Sequence, residues 1–264
     1  MRAISSLLLA LFCGLTLSAF AGEPVKLPPQ EKFYLFLLAG QSNMAGRGIV
    51  EAQDKTVPVN VLTLDKNGQW QPAVDPIHFD KAGVGVGPGR TFGILAAAHY
   101  PGVTIGLIPS ACGGSSISSW VPGGYHDQTK SHPYDDAIKR TKLAMQQGVL
   151  KGIIWHQGES DCNAKAAAVY ADNLKTLIQR FRTEFNAPDV PVVIGQLGQF
   201  HPWNQTTKQI DAAHRQVAAE VPRSIFVKSD GFTCNKDQIH FDARSEREFG
   251  KRYFAAYLEL TEKK

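Results

Sequence analysis

Residues Phe33 to Leu38 form an unbroken apolar run that leads straight into Ala-Gly-Gln-Ser-Asn-Met-Ala-Gly at residues 39–46. Apolar side chains at every position, rather than at every second one, mark a strand covered on both faces. A strand of that kind needs a layer of helices on each side, which restricts the chain to a layered α/β fold. The same pattern recurs. Val59–Asp65, Val103–Ile108, Lys151–Trp155, Val190–Leu197 and Ser224–Val227 read as further strands. Helical segments over Arg90–Tyr100, Pro133–Gly148, Ala164–Phe185, Gln205–Val221 and Asp242–Leu260 lie between and after them. In the longest of the internal helices, Tyr170, Leu174, Leu177, Ile178 and Phe181 make an apolar stripe that belongs to the core. Strands alternating with helices in this way predict a doubly wound parallel sheet with helices on both faces.

In open α/β sheets ligands bind at the carboxyl rim of the strands, and three strands here end there in glycine and polar residues. The first carries Ser42. The second leads into Ala111-Cys-Gly-Gly-Ser-Ser-Ile-Ser-Ser-Trp120 and the third into Trp155-His-Gln-Gly-Glu-Ser-Asp161. A fourth cluster near the carboxyl terminus, Asp237-Gln-Ile-His240, sets an aspartate three residues before a histidine. A serine hydroxyl is a weak nucleophile until a base takes its proton, and that base needs a third group to orient it. Ser42, His240 and Asp237 fit those three roles. The Gly-x-Ser-x-Gly elbow of α/β-hydrolases is absent, because Met44 stands where its second glycine would be. Acyl transfer further needs donors aimed at the oxyanion, for which the N–H groups of Ser42 and Gly114 and the side-chain amide of Gln157 are candidates.

The blocks GQSNMAG, GGSSI, WHQGESD and DxxHFD, in this order, resemble the SGNH (GDSL-like) hydrolase superfamily. More narrowly they are similar to the sialate O-acetylesterase-related group that includes the acetylxylan esterases of carbohydrate esterase family six. The resemblance covers about Phe33 to Leu260. It implies a three-layer, flavodoxin-like α/β fold with a mostly parallel five-stranded sheet. It also implies a Ser42–His240–Asp237 triad that needs no cofactor or metal. The implied oxyanion hole takes the Ser42 N–H, a glycine N–H of the second block and the Gln157 amide. Gly114 matches that glycine, with Gly113 beside it as the alternative. The wider superfamily has asparagine at the position of Gln157, whereas the acetylesterase group has glutamine. The expected function is removal of O-acetyl groups from carbohydrates, as in acetylxylan esterases. A sialate O-acetylesterase or a broad short-acyl esterase is the alternative. A carbohydrate-binding protein on an esterase scaffold is the reading from another class.

Other residues have sharper and blander readings. Gln41, Asn43, Glu159 and Trp120 are expected to support the site or touch substrate. Glu159 is expected to brace the rim by accepting hydrogen bonds near Ser42, and Asp161 to cap the following helix. Paired acids of a glycosidase or a metal centre on His156, Glu159 and Asp161 would leave Ser42 and His240 without a role. Trp120, Trp155 and Trp203 are candidate sugar platforms or core residues, and His201 and Arg90 are further candidate substrate contacts. Gly83, Gly85, Gly87 and Gly89 lack the lysine of a phosphate loop, so a flexible loop beside the site is expected there.

The 264 residues, 43% of them hydrophobic, are enough for one α/β domain. A net charge of +4 with both signs dispersed gives no electrostatic case for a nucleic-acid partner. Residues 1–21 read as a signal peptide, with Arg2, the apolar run Leu7–Leu17 and the cleavage signal Ala19-Phe-Ala21. Residues 22–32 form an extended lead-in, and the esterase domain occupies 33–264. Phe12 before Cys13 does not fit a lipoprotein signal, so no membrane anchor is expected. The protein is placed outside the cell or in the periplasm. In such an oxidising compartment Cys162 and Cys234, each beside a polar block, are expected to form a disulfide. Cys112 has a weaker context for nucleophilic chemistry than Ser42.

Overall fold

The computed structural model describes residues 25–262; the signal peptide expected over 1–21 lies outside them. The strands are β1 (Phe33–Gly40), β2 (Val61–Leu64), β3 (Trp70–Pro72), β4 (Thr104–Pro109), β5 (Val149–His156), β6 (Val192–Gly195) and β7 (Ser224–Val227). They form one sheet in the order β3-β2-β4-β1-β5-β6-β7, parallel except for the β2–β3 pair. The expected α/β architecture is present, but the sheet has seven strands rather than five. The five strands β4-β1-β5-β6-β7 form the flavodoxin-like core. The Asp65-Lys-Asn-Gly68 turn folds Trp70–Pro72 back on β2 as a hairpin, which extends the sheet beyond β4. Asp65 shapes that turn by accepting the N–H groups of Asn67 and Gln69, at 2.8 and 2.7 Å.

The helices are α1 (Ser42–Ala45), α2 (Pro88–His99), α3 (Pro133–Met145), α4 (Ala164–Ala167), α5 (Tyr170–Glu184), α6 (Gln205–Glu220) and α7 (Ala243–Glu262). β1 shows why its run had to be apolar throughout. Phe33, Leu35, Leu37 and Ala39 point into one core layer with Tyr134 of α3, Leu174 and Phe181 of α5, and Ile210 of α6. Phe36 and Leu38 point into the opposite layer with Phe92 of α2 and Phe249 and Tyr253 of α7. The single helix expected over 164–185 is broken into α4 and α5. Asn163, not Asp161, caps the first piece by accepting the Ala166 N–H at 3.0 Å. Asp242 caps α7, accepting the Ser245 N–H at 2.8 Å.

Within segment 81–89, where a flexible loop is expected, Gly85 and Val86 are tied to Gly46 and Gly48 by backbone bonds. Gly85 N–H donates to Gly46 O at 3.0 Å, and Gly48 and Val86 exchange bonds of 3.0 and 2.8 Å. A side chain at Gly85 would strike the Gly48 carbonyl, so glycine here serves close backbone approach.

The α7 layer also buries Glu246 completely, and neither of its carboxyl oxygens has a partner. Burial, with the neighbouring Asp75 charge adding to it, pushes this carboxyl well above its ordinary value, against the pull of Arg47. The folded chain therefore keeps a proton that the unfolded chain releases near pH 4.5, and stability falls as the pH rises beyond that point. Replacing Glu246 with methionine removes the orphaned carboxyl at nearly constant volume. It should raise stability by about 1–3 kcal/mol at neutral pH and flatten the decline in Tm between mildly acidic and alkaline buffers. Thermal melts of both proteins across that range check this.

Candidate active site

The ends of β1, β4 and β5 are laced together by backbone. Gln41 N–H donates to His156 O, Ser110 N–H to Leu38 O, and Cys112 N–H to Gly40 O, each at 2.9 Å. Immediately after β1 the chain turns into the single helical turn α1, with Ser42 as its first residue and the Gln41 carbonyl accepting from Met44 and Ala45 at 3.0 Å. The serine is thereby presented on a tight, buried turn at the rim, as its position in the sequence predicts.

His240 reaches this turn from a loop 198 residues away, with Nε2 at 2.9 Å from Ser42 Oγ. Its Nδ1 lies 2.7 Å from Asp237 Oδ2. Asp237 Oδ1 accepts the N–H groups of Ile239 and His240, at 2.9 and 3.0 Å, so one carboxylate shapes the turn and orients the ring. Burial pulls the Asp237 carboxyl up, but the His240 ring and these two backbone donors outweigh it and hold it below its ordinary value. Both side chains reach solvent, His240 at 21% and Asp237 at 44%.

Asn43 straps this loop to the serine turn. Its Nδ2 donates to Ile239 O at 3.2 Å, and its Oδ1 accepts the Phe241 N–H at 3.2 Å. These bonds flank His240 on both sides. Nδ2 also donates to Glu159 Oε1 at 2.5 Å. Glu159 is therefore the brace expected from the sequence, although it acts through the Asn43 side chain rather than on backbone. Its buried carboxyl would titrate high. The His156 ring 3.7 Å away and the Asn43 amide instead bring it down to about 2. A second strap was not legible in the sequence: Asn235 Nδ2 donates to Arg47 O at 2.9 Å and to Phe241 O at 3.2 Å.

The oxyanion side departs from expectation at one residue, Gln157. Gly113 N–H is bonded to Asp80 Oδ2 at 2.8 Å, and that carboxylate is held by Arg47 at 2.7 Å. Gly113 is thus occupied. The N–H groups of Gly114 and Ser42 have no hydrogen-bond acceptor among the described residues. Asp80 carried no signal in the sequence, since nothing in spacing connects residue 80 to residue 113.

Gln157 requires a correction. It is 0% exposed. The two hydrogens of its Nε2 are shared among three acceptors, Asp161 Oδ2 at 2.5 Å, Ser115 O at 3.0 Å and Gln41 Oε1 at 3.1 Å, and its Oε1 accepts from Tyr170 at 2.7 Å. An amide sealed from solvent and saturated in this way offers nothing to an oxyanion; it is an internal strut. Asp161, expected as a helix cap, instead holds that strut and the Ile117 N–H at 3.0 Å. Tyr170 belongs to the core stripe as expected, and its hydroxyl is an additional member of this network.

Trp120 is not a sugar platform. It is buried, donates to Ser115 Oγ at 3.0 Å and packs edge-on against buried Trp155 at 5.0 Å. Trp203 is half-buried, and His201 lies in the turn that follows β6. Arg90 points inward, donating to Ala73 O and Thr56 O at 2.9 and 2.6 Å. The expected Cys162–Cys234 disulfide is absent; all three described cysteines are free. Cys162 Sγ turns to Gly158 O at 3.5 Å, while Cys234 sits opposite Phe241 in the histidine loop. No helix among the described residues is long and apolar enough to cross a membrane.

A family model described as carbohydrate esterase, sialic acid-specific acetylesterase, matches residues 32–259. The chain belongs to this family. It is a carbohydrate acetylesterase of the sialate esterase group, on the SGNH-type fold that its blocks resemble. A probable carbohydrate esterase of Arabidopsis thaliana is 29% identical over 253 residues, covering 88% of this chain and 92% of the relative. The crystal structure of that plant protein superposes with a TM-score of 0.77 at 27% identity, covering 88% of this chain and 99% of the other. A carbohydrate acetylesterase from Xanthomonas citri has a TM-score of 0.67 at 20% identity, over 87% of this chain and 56% of that one. NanS has a TM-score of 0.66 at 16% identity, over 89% and 99%. These last two likenesses concern the fold.

Proposed function

We propose that the protein is exported and removes acetyl groups from the hydroxyls of an acetylated polysaccharide of the xylan class, through an acetyl-enzyme on Ser42. The observation that carries this reading is the line from Asp237 through His240 to Ser42 Oγ, with contacts of 2.7 and 2.9 Å. Asp237 accepts a hydrogen bond from Nδ1–H, which keeps the ring proton on Nδ1 and leaves the Nε2 lone pair facing the serine hydroxyl. His240 takes that proton as Ser42 Oγ attacks the acetyl carbonyl, and the Ser42 and Gly114 N–H groups receive the oxyanion. As the bond from carbon to the sugar oxygen breaks, the imidazolium returns its proton to the leaving alkoxide. Water then attacks the acetyl-serine with the same histidine as base, and acetate leaves.

The exposure of His240 and Asp237 on an open rim favours an acetyl group carried on a chain that lies across the surface. The family's description favours a second reading, a sialate O-acetyl ester. Acetate release from acetylated xylan beside an O-acetylated sialoside separates the two. Faster release from xylan is the expected result, and release from the sialoside alone overturns the xylan assignment while keeping the chemistry. The expected signal peptide is checked by recovering the protein outside the cytoplasm with its mature amino terminus at Gly22.

A further inference from the structure

Internal burial of Gln157 leaves the site without the side-chain amide that the resemblance puts beside the oxyanion. We propose that Gln41 supplies it, with Nε2–H as the third oxyanion donor alongside the N–H groups of Ser42 and Gly114. This assignment rests on the esterase reading above.

Gln41 is the residue directly before the nucleophile. Its Oε1 accepts three N–H groups, from Gln157 Nε2 at 3.1 Å, Gly158 at 3.3 Å and Ser160 at 3.4 Å. Three converging donors fix which end of the amide is oxygen, because the reversed amide would set its own hydrogens against all of them. The NH2 end therefore faces away from the third block. It makes no protein hydrogen bond among the described residues, and it is not among their sealed, unpartnered buried atoms. The whole residue is only 3% exposed. A side chain this deeply set, with its oxygen triply held and its nitrogen unpaired yet reachable, is a fixed donor lacking an acceptor.

The frame that holds it also holds the second block. Gln157 Nε2 bonds both Gln41 Oε1 and the Ser115 carbonyl, so the Gln41 amide lies against the second block one residue beyond Gly114. Ser160 Oγ, whose backbone N–H holds Gln41, donates to the Gly114 carbonyl at 2.9 Å. The glycine and the glutamine are thus fastened to the same small frame. That frame also polarises the donor. His214 Nε2 lies 3.0 Å from the Tyr170 hydroxyl, Tyr170 donates to Gln157 Oε1 at 2.7 Å, and Gln157 Nε2 donates to Gln41 Oε1. Successive bonds of this kind strengthen the last N–H in the series. Tyr170 and Gln157 are positioning residues for it, and Gln41 touches the reacting oxygen.

The test compares wild type, Gln41→Glu, Gln41→Met and Gln157→Met on an aryl acetate and on its thionoacetate, whose sulfur accepts hydrogen bonds poorly. Losing an oxyanion donor lowers kcat by about 10²–10³-fold. In both Gln41 variants kcat on the oxygen ester should fall by that order with KM within a few-fold, and the rate ratio of oxygen to sulfur ester should collapse. Gln157→Met, which removes one of the three N–H groups that hold the Gln41 amide, should lower the ratio only part of the way, and less than either Gln41 variant does. An unchanged ratio in the folded Gln41 variants overturns the assignment, as does a collapse confined to Gln157→Met. A wild type that hydrolyses neither ester overturns the esterase reading and this inference with it.

Discussion

Replacing Asp237 with asparagine lowers kcat by about three to four orders of magnitude and leaves the fold nearly as stable. An asparagine oxygen can still accept the Ile239 and His240 N–H groups, which Asp237 Oδ1 holds at 2.9 and 3.0 Å, so the turn survives. The amide nitrogen, however, would face His240 Nδ1 in place of the oxygen now at 2.7 Å. Two donors cannot share that contact, so the ring shifts its proton to Nε2 and loses the lone pair aimed at Ser42. Steady-state kinetics beside a thermal melt check both halves. A variant that keeps more than a tenth of wild-type kcat would remove Asp237 from the mechanism.

The second large effect is expected at Asn43. Alanine there removes the bonds to Ile239 O and Phe241 N–H that flank His240, and leaves the Glu159 carboxylate without its 2.5 Å donor. Losing a bond to a buried charge, which keeps only the His156 ring 3.7 Å away, destabilises the chain by on the order of 3 kcal/mol. The histidine loop also loses its alignment with the serine, and a shift of about 1 Å costs roughly a hundredfold in rate. The Asn43→Ala, Glu159→Gln double variant separates the two contributions. Removing the stranded charge should recover much of the lost stability without restoring kcat. Recovery of both would mean that Asn43 acts only through Glu159.

The layers and the serine turn were legible in the sequence because both are local. β1 announces itself by six apolar residues, and the pairing of Ser42 with His240 follows from two rim clusters of one sheet. The β2–β3 hairpin escaped, since Trp70–Pro72 is too short to show a period. The side-chain network escaped for another reason. Whether an amide such as Gln157 faces the cleft or the interior depends on Tyr170, Asp161 and Ser115, and their approach is set by the tertiary packing of α5 and the second block. Asp80, Arg47 and Asn235 act on backbone groups far away in the chain, and no pattern within one segment marks them. The cysteines were drawn together by the blocks that flank them, but Cys162 turns inward to Gly158.

The central claim is that Ser42 carries the acetyl group, and the most direct test is acetate release from an acetylated glycan by wild type and Ser42→Ala, with both shown to be folded. The account predicts release by the wild type and a loss of about 10⁶-fold in the variant. Acetate released by folded Ser42→Ala at a rate near that of the wild type would contradict it.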